Sequence, residues 1–130
     1  MELIQYNDQT VALIFRPDPA LKGTNFVTPP ELALQIGYLR YRSGDSIPPH
    51  VHGSAERTIR GSAEIAIVQS GSCEVELYSE EGAHLSTHTL REGDAIVIVS
   101  GGHSFRMLED TALYLIKQGP YDNEGDKTSL

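Results

Sequence analysis

The sequence predicts an all-β chain, a sandwich or barrel of antiparallel strands. Three observations carry this expectation: helical periodicity is nearly absent, short apolar or alternating runs recur at spacings of about ten residues, and Gly, Pro, Ser, Asn and Asp separate them. Val11 to Phe15 is a continuous apolar run, the signature of a strand buried on both faces. Leu32 to Tyr41 and Ser46 to Val51 follow as candidate strands, the latter stiffened by Pro48 and Pro49. Ala63 to Val68 and Ser72 to Tyr78 flank Gln69-Ser70-Gly71, and His84 to Leu90 follows Ser79-Glu80-Glu81-Gly82. Both connections have hairpin chemistry, with Gly at the positive-φ position, so the middle of the chain reads as a meander. Ala95 to Val99, Ser104 to Leu108 and Ala112 to Lys117 complete the set.

Between these runs, Asp18 to Pro30 holds three of the seven prolines and reads as an ordered loop or covering arm, since Leu21, Phe26 and Val27 give it something to bury. The last residues, 119–130, read as a solvated tail after a core spanning about 32–118. A length of 130 residues predicts one domain spanning 1–130, large enough to hold a core without disulfide staples. The single cysteine, Cys73, alternates with Val75 and Leu77 and is expected in the core.

Charge excludes two classes of partner. Ten basic against eighteen acidic residues leave −8, and the basic residues form no run, so neither nucleic acid nor an anionic membrane finds the concentrated positive field it needs. No apolar stretch approaches the roughly 20 residues of a membrane span. Glu2 stands where a signal peptide would carry basic charge, which predicts a cytoplasmic chain.

The chemistry concentrates on histidines. His50 and His52 are two apart on an expected strand, so both imidazoles share a face with their Cα atoms about 6.5–7 Å apart, close enough to converge on one ion. Gly44 precedes His50 by six residues, Glu64 opens a strand that reaches Gly71 seven residues later, and Gly93-Asp94 begins the run into Gly101-Gly102-His103. In this order and spacing the sequence resembles a cupin. Gly44, His50, His52, Glu64 and Gly71 fill the fixed positions of the first cupin motif, and Gly93, Gly101 and His103 match the second, with Val99 where proline is usual, one residue fewer before the histidine and no asparagine after it.

The resemblance covers roughly half the chain, Gly44 to about Met107. It implies a double-stranded β-helix, a jelly-roll-like barrel. It also implies one divalent transition metal (Zn, Fe, Ni, Mn or Cu) held by His50, His52, Glu64 and His103, a mixed N/O set that leaves coordination positions open. Glu56 follows His52 at the family's usual spacing but has no glycine seven residues on, so Glu64 is preferred and Glu56 is the alternate. The segment Gly53 to Gly61 then becomes an insertion beside the site. Its Arg57 and Arg60, with Tyr38 and Arg40 from an earlier strand, are candidate binders of an anionic or hydroxylated small-molecule ligand.

The implied function is a small metal-dependent enzyme of dioxygenase, isomerase or lyase type acting on a small polar or sugar-like substrate. The other reading is a ligand-binding or sensor cupin without turnover, and Lys117-Gln118-Gly119-Pro120-Tyr121 is similar to tails of small cupins linked to polysaccharide or nucleotide-sugar metabolism. A homodimer is also expected. Ile65 and Ile67 would face outward from a single barrel and need a cover, which a second copy, or the segments Leu3 to Phe15 and Phe26 to Val27, would supply.

Overall fold

A computed structural model describes residues 1–120 and 128–130. Among them there are ten β-strands and no helix: β1 (Glu2–Tyr6), β2 (Gln9–Phe15), β3 (Gly23–Phe26), β4 (Gly37–Arg40), β5 (Glu64–Ser70), β6 (Ser72–Tyr78), β7 (His84–Arg91), β8 (Ala95–Ile98), β9 (Gly102–Met107) and β10 (Ala112–Lys117). All pairings are antiparallel. A five-stranded sheet runs in the order β1-β2-β8-β5-β10, a three-stranded sheet in the order β7-β6-β9, and β3 pairs with β4 alone. The sheets do not close into a barrel among the described residues, since β9 and β10 each pair on one side only. The observed architecture is therefore all-β and sandwich-like.

The main core lies between the two larger sheets. Ala12 and Ile14 of β2, Ala66 and Val68 of β5, and Ile96 and Ile98 of β8 face Cys73, Val75 and Leu77 of β6 and Leu90 of β7. Cys73 is fully buried there, as its alternation with Val75 and Leu77 predicts.

The turns show how the chain crosses between layers. Asn7 and Asp8, at φ 50° and 61°, close the β1–β2 hairpin in the left-handed conformation that short polar side chains tolerate. Ser79 N donates to Ala83 O and Gly82 N to Ser79 O, making the expected β6–β7 hairpin. The expected β5–β6 hairpin is not formed. Gly71 instead turns the chain from the five-stranded sheet into the three-stranded one. It does so at φ +85°, pressed against the Asp110 carbonyl and Thr111 where a Cβ would stand. The sequence signal was a turn signal, and a turn between sheets uses the same residue chemistry as a turn within one.

Other boundaries also differ. Leu32 to Tyr41 is a strand only from Gly37 to Arg40, and Asp18 to Pro30 contains β3 rather than loop alone. Ser46 to Val51 is not a strand. Residues 41–63 form no helix or strand, and Tyr41 to Ser62 are exposed throughout. Pro48 and Pro49 remove two backbone donors from that stretch, which weakens any ladder it joins. Of the expected tail, 121–127 lie outside the described residues, while Leu130 is 71% exposed yet rests against Gly102.

The outer face of the five-stranded sheet carries Leu13, Ile65 and Val97, covered by Leu32, Leu34 and Ile36 of the β3–β4 connection. The cover over Ile65 and Ile67 thus comes, at least in part, from the chain itself, though from a segment next to the Phe26 to Val27 stretch rather than that stretch. Among the described residues no helix is long and apolar enough to cross a membrane.

Candidate functional site

Strand parity builds the site from two neighbouring positions. Along β9, His103 pairs with Leu77 and Phe105 with Val75, both partners fully buried, so His103 and Phe105 face the opposite sheet. Along β5, Glu64 shares its face with Ala66 and Val68 of the core. Glu64 is the first residue of its strand and His103 the second of its own, so the two meet where the sandwich opens. His103 Nε2 lies 2.7 Å from Glu64 Oε1, with side chains 29% and 13% exposed. An ionised carboxylate only accepts, so Nε2 carries the proton and donates.

A cavity of about 1070 Å³ opens beside this pair, between the free edges of β9 and β10. Glu64, His103 and Lys117 form its polar end, and Phe105, Leu113 and Leu115 its apolar wall, with residues 128–130 at the rim. Lys117 stands opposite Glu64 in the β5–β10 register, which makes a carboxylate flanked by an imidazole and near an ammonium the electrostatic core of the site. Lys117 is a residue the sequence reading passed over. Its signal was present, since it lies four residues after Leu113 and two after Leu115 on the same strand face.

The other expected ligands are paired elsewhere. His50 and His52 meet edge to face with ring centroids 5.2 Å apart, on the exposed 41–63 segment rather than on a strand. The His50 Nδ1–H donates to the Pro48 carbonyl at 2.8 Å, which leaves the Nε2 lone pair of the neutral ring as its ligand atom. Among the described residues no three His, Cys, Asp or Glu side chains are grouped as a metal site requires. Three imidazoles and a carboxylate fit a divalent transition metal by donor chemistry, and the structure presents them as two pairs, Glu64 with His103 and His50 with His52. Glu56 lies in the same exposed segment as His52 and does not line the cavity.

The expected ligand binders also divide. Arg57 and Arg60 are exposed in the 41–63 segment. Tyr38 packs its ring on Phe15, centroids 5.3 Å apart, and Arg40 donates to the Pro19 carbonyl at 2.6 Å, so both hold β4 to neighbouring segments and neither lines the cavity. His84 and His88 both lie on β7. A bulge in the β6–β7 ladder intervenes, and His84 hydrogen-bonds Thr87 while His88, opposite buried Val75, hydrogen-bonds Ser86.

An all-β sandwich with a carboxylate–imidazole pair at the polar end of an open cavity is the class the fold and site define. No family model matches the chain, and no curated protein or solved structure matches it.

Proposed function

We propose that this protein is a metal-dependent cupin-like enzyme, in which His50, His52, Glu64 and His103 hold one divalent transition metal beside a pocket for a small polar or sugar-like substrate. The observation that supports this reading best is the Glu64–His103 pair. Two residues from different sheets, 39 positions apart in sequence, meet at the mouth of the cavity, and both belong to the motif positions that suggested a ligand set. The bound ion would act as a Lewis acid on a ligand oxygen. Glu64 and His103 would contribute one oxygen and one nitrogen, the His103 ring carrying its proton on Nδ1 when Nε2 serves as ligand. For one ion to take all four groups, the segment bearing His50 and His52 has to come to the pair. The free edge of β9, the strand that carries His103, offers the backbone groups on which an extended segment could seat.

The cavity supports a ligand with both polar and C–H surface. Phe105, Leu113 and Leu115 offer apolar wall, while Lys117 and Glu64 supply hydrogen-bonding groups. Arg57 and Arg60 would reach an anionic or hydroxylated ligand only together with the histidine segment, whose chain they share.

The test is elemental analysis of protein purified without added metal, followed by titration of metal-stripped protein with Zn, Mn, Ni and Fe(II), on wild type and on His52→Ala, Glu56→Ala, Glu64→Gln and His103→Gln. The reading expects near-stoichiometric metal that is lost in every variant except Glu56→Ala. Full metal retention in Glu64→Gln and His103→Gln, or no metal in the wild type, overturns it.

A further inference from the structure

β10 ends at Lys117, which stands opposite Glu64 in the β5–β10 register, so the next position sets Gln118 beside Ala63. The main-chain ladder stops there, and the Gln118 side chain continues it. The Ala63 N–H donates to Gln118 Oε1 at 3.0 Å, across 55 positions of sequence. Ala63 is where the exposed 41–62 stretch enters the sandwich, one residue before the carboxylate that accepts from His103. The bond therefore lies between a long exposed segment and Glu64.

The same amide carries a cost. Ala63 needs an acceptor, which fixes Oε1 toward it and turns Nε2 away, since a flipped amide would set one N–H against another. Nε2 is then buried, and among the described residues it finds no hydrogen-bond partner. Burying an unpaired amide donor costs more than one neutral hydrogen bond returns on balance, so for stability alone an apolar side chain of the same length serves better. A buried group left unpaired in a folded protein calls for a reason other than stability.

We propose that Gln118 is a positioning residue: its side-chain carbonyl pins the backbone at Ala63, uncouples Glu64 from the 41–62 segment, and so keeps the Glu64 carboxylate on His103. Its use to the protein rests on the reading of Glu64 and His103 as ligands of one ion, because donors set in place beforehand need not be ordered by the ion that binds them. On that reading the segment bearing His50 and His52 comes to the pair. A fixed point just before Glu64 lets it do so without dragging the carboxylate along.

The experiment follows the His103 Nε2 proton by NMR in the full chain, with isotope-labelled histidine and a chelator present. It is run on wild type, Gln118→Met, Gln118→Glu and Glu64→Ala, with His103→Gln assigning the signal among the five histidines. Gln118→Met keeps the length and removes both polar atoms, whereas Gln118→Glu keeps the acceptor and removes the unpaired donor. A ring N–H held in a hydrogen bond exchanges with water more slowly than a free one. In Gln118→Met this proton is expected to exchange about tenfold faster or more, approaching Glu64→Ala, while the urea midpoint stays level or rises. Gln118→Glu is expected to restore slow exchange. Unchanged exchange in Gln118→Met, a lower urea midpoint in that variant, or no restoration by Gln118→Glu would each overturn the proposal. Every sample is metal-free, so a wild type that binds no metal sinks the ligand-set reading and leaves the exchange result to decide this one.

Discussion

Glu64 and His103 join the two larger sheets of the sandwich: the carboxylate on β5 of one sheet accepts from the imidazole on β9 of the other across 2.7 Å. The pair is partly buried, so its coupling is less screened than that of a surface ion pair. A double-mutant cycle of Glu64→Gln and His103→Gln, followed by urea denaturation in the presence of a chelator, should return a coupling of about 1–2 kcal/mol. Each single variant should be less stable than the sum of its own packing change predicts, because each leaves one partner without the other. A coupling near zero would mean the two groups are merely adjacent.

Gly71 and Gly82 both have positive φ, at +85° and +92°, yet their surroundings differ. Gly82 has nothing near its missing Cβ, whereas a Cβ on Gly71 would run into the Asp110 carbonyl and Thr111. Gly82→Ala should therefore cost only the left-handed conformation, about 1 kcal/mol. Gly71→Ala adds a clash with backbone, and should cost at least about 2 kcal/mol more than Gly82→Ala. The comparison, made by thermal or urea unfolding, separates a sheet-crossing corner from an ordinary hairpin.

Asp94 is 5% exposed, accepts from Arg91 N at 2.8 Å and pairs with Arg16 Nη1 at 2.5 Å, tying the β7–β8 turn to the end of β2. Asp94→Ala removes the acceptor from a buried turn and leaves the Arg16 guanidinium with only the Thr89 carbonyl and Glu2. A loss of about 2–3 kcal/mol is expected, with Asp94→Asn recovering part of it through the retained acceptor. Equal losses in the two variants would show that charge, not hydrogen bonding, holds the turn.

The strands of the core were legible because their signal is local. Ser72 to Tyr78 alternates residue by residue, and Ala95 to Ile98 is apolar on both sides because one side meets β6 and the other the 32–36 arm. β1 was missed although Asn7-Asp8 stands between two apolar runs, which is a hairpin signal in plain view. What was not legible is non-local. Whether a turn residue such as Gly71 links two strands of one sheet or carries the chain to the other depends on Asp110 and Thr111, which lie about forty positions away. The site divides the same way. Glu64 falls within an expected strand, whereas His103 stands one residue before the expected Ser104 to Leu108 and was singled out by the motif resemblance rather than by parity, and His50 and His52 share a segment whose prolines oppose the strand their spacing suggested.

Leu34 offers a test of the arm. It is half-buried against Leu13, Ile65 and Val97, so Leu34→Ala removes about half of a full leucine burial, or about 1–2 kcal/mol. Leu34→Asp should do more, lifting the arm and exposing the face beneath, seen as a rise in binding of a hydrophobic dye. If Leu34→Asp leaves dye binding and stability unchanged, the arm does not hold the face closed.

Cys73 sets the alkaline limit of the core's contribution to stability. Burial raises its thiol above the ordinary 9.0, and the negative charge of Asp94 adds to the same direction. The folded state therefore favours the protonated form more than the unfolded state does. Below 9.0 both states hold the proton and stability from this group is flat. As pH rises past that value the unfolded thiol ionises first, the unfolded chain binds fewer protons, and stability falls until the folded thiol ionises too. Unfolding free energy measured in steps from pH 7 to pH 10.5 should decline above about 9 more steeply in wild type than in Cys73→Ala, which removes the titrating group at the cost of a small cavity. The same burial should make the native thiol react slowly with iodoacetamide at pH 8 and rapidly once the chain is unfolded. Parallel pH profiles for wild type and Cys73→Ala would show that the alkaline loss arises from other groups.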